Sequence, residues 1–280
     1  MSAATADEPE PFRLTGLTPG AAGSPGAGGG GRRFAVEISA ASPLFAGHFP
    51  GRPLLPGIAH LALARRALSE LAGREVDLAA VRSLKLRRPV APGDPLELRV
   101  DSPGEDGAAR FEVSCGGGMA SQGVVQVWSG PAQADGDRGP ADVPAAGFPP
   151  PQALLPHGPP ALLLRAVVEA AEGAVTAIAE VSPSHPLAVD GRFPAFLVLE
   201  AAAQAAAALE ALGRREAAGP RIGYLVGIRD ARFAVPWLPA GRPLRVAARL
   251  EGGAFPLSLY AVTAGEVASG TLSTFLAADS

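Results

Sequence analysis

The chain has little cysteine, little surplus charge and few long apolar runs. Its 280 residues include one cysteine, Cys115, which cannot form an internal disulfide and is typical of a protein from a reducing compartment. The formal net charge of −3 lacks the basic surplus that nucleic-acid-binding proteins usually carry. No apolar run approaches the ~20 residues that cross a bilayer, and the first residues do not resemble a secretory signal. We therefore expect a cytoplasmic protein with no membrane span and no nucleic-acid partner.

Two segments rich in glycine, proline and alanine divide the chain. Residues 1–31 contain too few apolar side chains to order themselves, so we expect a disordered tail. Residues 129–151 are rich in proline and predict an extended linker. The remaining residues, 32–128 and 152–280, are predicted to form two domains, each large enough to bury its own core.

The two predicted domains repeat one another. The segment APGDPLELRV at residues 91–100 has a counterpart in PAGRPLRVAA at residues 239–248. Likewise, ASQGVVQV at residues 120–127 has a counterpart in ASGTLSTF at residues 268–275. A repeat of this length, with its elements in the same order, indicates duplication of a whole domain.

Hydrophobic periodicity predicts the same α+β arrangement in both halves. One helix begins at Gly57 and ends near Gly73, and a second helix spans residues 195–212. Alternating apolar side chains predict strands at residues 34–38, 84–88, 96–100, 111–115 and 124–128, and at 161–169, 174–181, 222–233, 244–250, 258–262 and 271–275. Each helix is expected to bury its apolar side against an antiparallel sheet.

Two polar groups lie where a catalytic site could form. His48 lies in the turn-rich loop GHFPGRPLLPG, residues 47–57, directly before the first helix. Glu200 and Gln204 are the only polar residues between positions 195 and 208. Because they are four residues apart on one helix face, we expect them to point into a pocket. A surface turn for His48 and a solvated helix face for the other two are the simpler alternatives.

The same stretches carry a family resemblance. The loop at residues 47–57 resembles the signature loop of the FabA/FabZ-type 3-hydroxyacyl-(acyl-carrier-protein) dehydratases. LLPHGPPALLLRAVVE at residues 154–169 resembles the beginning of that family, and VLEAAAQAAA at residues 198–207 resembles its helix motif. The second half is also similar to the partner-type dehydratases of aryl-polyene-like pathways. The resemblance implies a double hotdog fold, in which two long helices, each wrapped by an antiparallel sheet, pair as a pseudo-dimer.

In this family the catalytic histidine and acid come from different subunits. The resemblance matches His48 with the histidine and Glu200 with the acid, whereas Ala62 and Arg66 replace the acid and the glutamine in the first half. The second half keeps Gln204 as the glutamine but has no histidine at the matching point. We therefore expect one composite site per chain and one inactive pseudo-site at Ala62 and Arg66.

Each matched residue has an expected role in eliminating water from a 3-hydroxyacyl thioester. His48 is the expected base for the C2 proton, and the N–H of Gly57 is expected to bind the thioester oxygen at a helix N-terminus. Burial should raise the pKa of Glu200 and so favour a proton donor, which Gln204 is expected to hold in place. The resemblance implies that the N–H of Phe196 contacts the substrate hydroxyl.

Other function classes stay open at this point. The hotdog fold also hosts thioesterases and enoyl-CoA hydratases, and drift in both halves is compatible with an inert subunit that binds a carrier protein. Several basic residues either dock an acidic acyl carrier protein or form a solvated face: Arg65, Arg66, Arg82, Lys85, Arg87 and Arg88. Further homodimerisation of the internal pseudo-dimer is also open.

The other histidines and the cysteine predict no additional chemistry. We expect His60 at a rim or interface, His157 as a structural hydrogen-bonding residue, and His185 in an exposed loop. The histidines lack metal-ligand spacing, so we expect no metal and no cofactor. Cys115 is predicted to be a small core residue.

Overall fold

The structure is a computed structural model that describes residues 11–17, 31–129, 147–214 and 220–277. Most of the predicted tail and of the predicted linker lies outside the described residues. The domain bounds proposed above therefore stay predictions, while the elements within the described ranges test the predicted helices and strands.

The described residues of the first half form one long helix and six strands. These elements are β1 (Arg13–Leu17), β2 (Arg32–Glu37), α1 (Ala59–Ala72), β3 (Leu78–Leu86), β4 (Leu96–Val100), β5 (Ala108–Cys115) and β6 (Gly118–Val127). All five predicted strands are present, although β3 and β6 each begin six residues before the predicted start.

The second half repeats this order with additional short elements. Its elements are α2 (Pro151–Leu154), β7 (Leu164–Ala171), β8 (Ala174–Glu180), β9 (Arg192–Pro194), α3 (Val198–Gly213), β10 (Gly223–Phe233), β11 (Trp237–Pro239), β12 (Pro243–Ala254), β13 (Leu257–Ala264) and β14 (Ala268–Leu276). A short 3-10 turn at Ala195–Leu197 leads into α3, which accounts for the predicted helix start at residue 195.

The two long helices are the cores of their halves. Helix α1 ends at Gly73, which takes the left-handed conformation (φ 62°) and donates its N–H to Ser69. Its buried side includes Leu61 and Leu68, both at most 1% exposed. Helix α3 is apolar on nearly every side, as expected for a helix that a sheet wraps.

One twelve-stranded sheet, among the described residues, joins the two halves. Its order is β1-β2-β4-β5-β6-β3-β10-β14-β13-β12-β8-β7, so the second half repeats the strand order of the first in reverse. Strands β3 and β10 pair antiparallel at the centre, with Leu84 opposite Ile228. Both side chains are at most 1% exposed. This mirrored order confirms the double hotdog and its internal duplication.

One part of the predicted disordered tail is an ordered strand. β1 pairs with β2 along its whole length, from Arg13 opposite Glu37 to Leu17 opposite Arg33. The prediction of disorder is wrong here because composition does not account for the open backbone edge that β2 offers to another strand. Leu14 adds an apolar contact with the core.

The central helix of the second half is both long and apolar. Residues Ala195–Gly213 form the one described helix that is long and apolar enough to cross a membrane by length and composition. About two thirds of its 18-residue window is buried inside the protein, so it is the core helix of this hotdog. Glu200, Gln204 and Glu210 interrupt its apolar side chains, so no continuous apolar run within this helix approaches the length of a membrane span.

A polar cluster links α1 to the second half. Asp77 Oδ1 accepts hydrogen bonds from Arg65 Nε at 3.2 Å and from Trp237 Nε1 at 2.9 Å. The Arg65 guanidinium also lies over the Trp237 ring, 4.8 Å from its centroid. Because the Arg65 and Asp77 side chains are only 17% and 22% exposed, these contacts are partly shielded from water.

Replacing Asp77 with alanine is expected to lower the free energy of unfolding by about 1–3 kcal/mol, because two donors lose their acceptor. Urea-induced unfolding would measure the change. Glu75 provides a matched control, since it pairs with the same arginine at 2.7 Å but is 70% exposed. Glu75→Ala is expected to cost at most about 1 kcal/mol. Equal losses in the two variants would contradict a specific role for Asp77.

Candidate active site

A cavity of about 650 Å³ lies between the halves. The first half contributes His48 and Gly57 to its wall, and the second half contributes Glu200, Gln204 and Tyr224. The volume lies within the range of ordinary small-molecule sites. The cavity is therefore large enough for a ligand and depends on both halves.

A backbone carbonyl of its own loop fixes the tautomer of the neutral His48 ring. Its Nδ1 lies 3.0 Å from the carbonyl oxygen of Leu54. Because a carbonyl only accepts, Nδ1 carries the hydrogen in the neutral ring, and Nε2 keeps its basic lone pair. The ring also stacks on Phe49 at a centroid distance of 4.2 Å. His48 is therefore oriented with its basic nitrogen free of this bond.

The loop that carries His48 is docked on a loop of the second half. Gly158 donates its N–H to the carbonyl of Gly47 at 2.9 Å. Gly47 has a φ of 74°, and a Cβ atom there would collide with the Gly158 carbonyl. Only glycine allows this close approach of the two backbones.

Glu200 and Gln204 lie one turn apart on α3, buried as predicted (7% and 1% exposed). Gln204 accepts from the N–H of Leu163 at 2.9 Å and donates to the carbonyl of Ala161 at 2.7 Å. One bond needs an acceptor and the other a donor, so together they distinguish the oxygen of the Gln204 side-chain amide from its nitrogen. That nitrogen also reaches Glu200 Oε1 at 3.4 Å.

The structure brings the predicted histidine and acid together. One ligating atom from each of His48, His157 and Glu200 lies within 4.8 Å of the other two. His48 comes from the first half, whereas His157 and Glu200 come from the second. An imidazole and a carboxyl group that face one cavity at this separation can act on two neighbouring atoms of one substrate.

The two other predicted site residues differ in position. Gly57 lines the cavity two residues before α1, and a Cβ atom there would lie 2.5 Å from Leu86 Cδ1. Phe196 is buried in the 3-10 turn before α3 and is not among the residues that line this cavity. The contact between its N–H and a substrate hydroxyl therefore stays a prediction.

His157 is a site residue whose place in the cavity the sequence did not predict. It was predicted to be a structural hydrogen-bonding residue, and it lines the cavity with its Nε2 3.8 Å from Glu200 Oε1. Its Nδ1 is buried and has no hydrogen-bond partner among the described residues. Burial lowers the pKa of His157 to about 3, with a further contribution from the charge of His48. The sequence signal was its place in the family-like LLPH segment.

His60 and His185 also differ from the predictions. His60 is 2% exposed and its Nδ1 lies 2.8 Å from Ser121 Oγ, so it is a buried residue that contacts the cavity. His185 is half-buried, and its Nδ1 accepts from the N–H of Leu187 at 3.1 Å. Burial lowers the pKa of both histidines to about 4.

The cluster of His48, His157 and Glu200 has a composition that a metal ion could use. Spacing along the sequence gave no sign of it, because the three residues come from three separate segments. The expectation of a metal-free site stays a prediction that activity in the presence of a chelator would test.

The position in the first half that corresponds to the Glu200 site carries a large side chain near Ala62. Arg65 follows Ala62 by three residues, as Ala203 follows Glu200. Ala203 lines the cavity, whereas Arg65 extends to Trp237 and Asp77. A large side chain with fixed partners thus replaces a small one that leaves room for a ligand.

Only part of the predicted basic surface is available for docking. Arg65 and Arg82 form ion pairs with Asp77 and Asp106, while Arg87 and Arg88 are exposed and line the cavity.

Cys115 is 1% exposed, which confirms it as a core residue.

Comparison with known proteins gives two different matches along the chain. The ApeI dehydratase family matches residues 30–124, and the ApeP dehydratase family matches residues 149–279. Solved structures share the overall fold at low identity. A variant of the PpsC dehydratase domain from Mycobacterium tuberculosis is 16% identical, with a TM-score of 0.62 over 96% of this chain and 99% of that one. The dehydratase domain of RzxB from Pseudomonas fluorescens is also 16% identical, with a TM-score of 0.61 over 87% and 94%.

Curated relatives carry the name 3-hydroxyacyl-(acyl-carrier-protein) dehydratase FabZ. The protein from Haemophilus influenzae (strain PittEE) is 39% identical over 72 residues, which are 23% of this chain and 49% of that protein, so the chain spans about half the length of this relative. The protein from Symbiobacterium thermophilum is 37% identical over 102 residues, which are 33% of this chain and 69% of that protein. The chain therefore belongs to the FabZ dehydratase family, with an ApeI-like region followed by an ApeP-like region.

Proposed function

We propose that the protein eliminates water from a 3-hydroxyacyl thioester to give the trans-2-enoyl thioester, at one composite site per chain. The observation that carries this proposal is the convergence of His48 and Glu200, from opposite halves, within 4.8 Å in one cavity. Membership of the FabZ family supports the reaction class.

The chemistry follows from the positions of the side chains. His48 Nε2 takes the proton from C2, because Nδ1 is already bonded to Leu54. The electron pair moves towards the thioester oxygen, where the N–H of Gly57 near the start of α1 stabilises the charge. The C3–O bond then breaks, and Glu200 gives its proton to the departing hydroxyl, which leaves as water.

The thioester is proposed to be bound to an acyl carrier protein. The curated relatives bear that carrier in their names. Arg87 and Arg88 line the cavity and are exposed, so they place two cations where an acidic carrier protein would approach. Apolar residues also line the same cavity, among them Leu86, Ala207 and Leu225, which suits an acyl chain.

The direct test is an assay of the purified protein with matched 3-hydroxyacyl thioesters on carrier protein and on coenzyme A. Formation of the conjugated enoyl thioester, measured by its absorbance, would support the proposal. Free thiol without enoyl product would instead identify a thioesterase, and neither product would favour an inert carrier-binding subunit. Activity that persists in a chelator would show that the site needs no metal.

A further inference from the structure

We propose that His157 is a positioning residue that holds the acid of this site, so that Glu200 carries its proton on Oε2. The inference rests on the proposed dehydration and adds a third side chain to it. His157 would affect the step in which the hydroxyl leaves and Glu200 gives up its proton. The role of His48 as the base is unchanged.

The fold leaves His157 little freedom to move. Its loop is joined to the His48 loop through the Gly158 to Gly47 hydrogen bond. The ring packs edge-on against Phe49, with centroids 4.8 Å apart at 66°, and lies 5.4 Å from the ring of His48. The imidazole is thus clamped between the base and the acid of the composite site.

Two nitrogen atoms converge on the same oxygen of Glu200. Gln204 Nε2 lies 3.4 Å from Oε1, and His157 Nε2 lies 3.8 Å from Oε1. Catalytic hydrogen bonds that are long in a ligand-free site commonly tighten when the substrate binds. An oxygen that accepts from two N–H groups serves as the carbonyl oxygen of the acid, and the proton then belongs on Oε2.

The surroundings of His157 decide which of its nitrogens carries the hydrogen. Nδ1 is buried without a partner among the described residues. A buried N–H with no acceptor is rarer and more costly than an unpaired acceptor. The hydrogen therefore belongs on Nε2, where it points to Glu200. Because burial lowers the pKa of His157 to about 3, the ring is neutral and the contact is not an ion pair. At 3.8 Å it is longer than a hydrogen bond, and the proposal is that it shortens to one when the substrate binds.

A simpler alternative is that His157 only fills space between the two loops. Two variants separate these roles. His157→Phe keeps a ring against Phe49 but removes the N–H donor, whereas His157→Gln restores an N–H donor without the ring. We expect kcat for the 3-hydroxyacyl thioester to fall about 10- to 100-fold in His157→Phe with little change in KM, and to recover largely in His157→Gln.

The decisive measurement uses a 3-chloroacyl thioester in place of the 3-hydroxy substrate. Chloride leaves with the C3–Cl electron pair and needs no proton, so this elimination needs the base and not the acid. We expect His157→Phe and Glu200→Gln to retain most of the wild-type rate with the chloro substrate. His48→Ala is expected to lose activity with both substrates.

A His157→Phe variant that loses both activities equally would overturn the positioning role and favour the space-filling one. If this variant fails to fold, His157→Leu serves the same comparison. A wild-type protein that eliminates chloride but not water would also overturn it, because the acid half would then be absent. A wild-type protein that eliminates neither would instead overturn the proposed function itself.

Discussion

Replacing Glu200 with glutamine is expected to lower kcat for dehydration by about 10²- to 10⁴-fold, the usual contribution of a general acid. The amide keeps the size of the side chain and its neighbour Gln204, so the fold should be unaffected. It cannot give a proton to the departing hydroxyl, however. Steady-state formation of the enoyl thioester would measure the loss.

The same helix offers a matched control for this substitution. Glu210 also lines the cavity but lies ten residues further along α3, beside Arg214. Glu210→Gln is expected to leave kcat within about twofold of the wild type, since it removes one charge from the same wall without touching the reacting atoms. Similar losses in both variants would show that charge in the cavity, and not the acid at position 200, determines the rate.

His48→Ala should be as damaging as Glu200→Gln, for a different reason. The Leu54 carbonyl occupies His48 Nδ1, so Nε2 is the nitrogen that can take a proton. Alanine at this position removes that base. When two groups act in one step, their losses do not add, so the double variant should be little worse than either single variant. Fully additive losses would indicate two independent effects on the protein.

Local patterns were sufficient to predict most of the fold. Strand β4, Leu96–Val100, has the predicted bounds because its side chains alternate between core and solvent without interruption. Helix α1 ends at Gly73 because only glycine readily takes the left-handed conformation found there. In these places the sequence signal and the structural cause both lie within a few residues.

Features that depend on distant contacts were predicted poorly. Strand β1 is ordered by the free edge of β2, which no composition rule detects. His157 lies beside Glu200 because the loop before β7 packs on α3 within the second half, although 43 positions separate the two residues in the chain. Arg65 was expected either on a docking surface or on a solvated face, yet it contacts Asp77 and Trp237. Each of these features depends on a contact partner that lies far away in the sequence.

The prediction of a composite site, by contrast, came from signals that are visible in the sequence itself. Glu200 and Gln204 are the only polar residues between positions 195 and 208, and burying polar groups costs free energy unless they are paired. Their counterparts Ala62 and Arg66 carry neither an acid nor an amide, so the halves are complementary in their losses. Because both halves belong to one chain, every molecule contains one copy of each half. Each half can therefore retain only its own part of the site.

Mixing the His48→Ala protein with the Glu200→Gln protein is therefore expected to restore no activity. In a dimer of separate identical subunits, exchange would bring an intact histidine and an intact acid together in some pairs. Here, the central pairing of β3 with β10 joins the two halves of one chain, with Leu84 and Ile228 buried at the junction. Each variant thus keeps its own defect within its own site. Enoyl formation by the native mixture, compared with each variant alone, would measure this. Activity that grows with time after mixing would contradict the intramolecular site and show that the halves pair between chains.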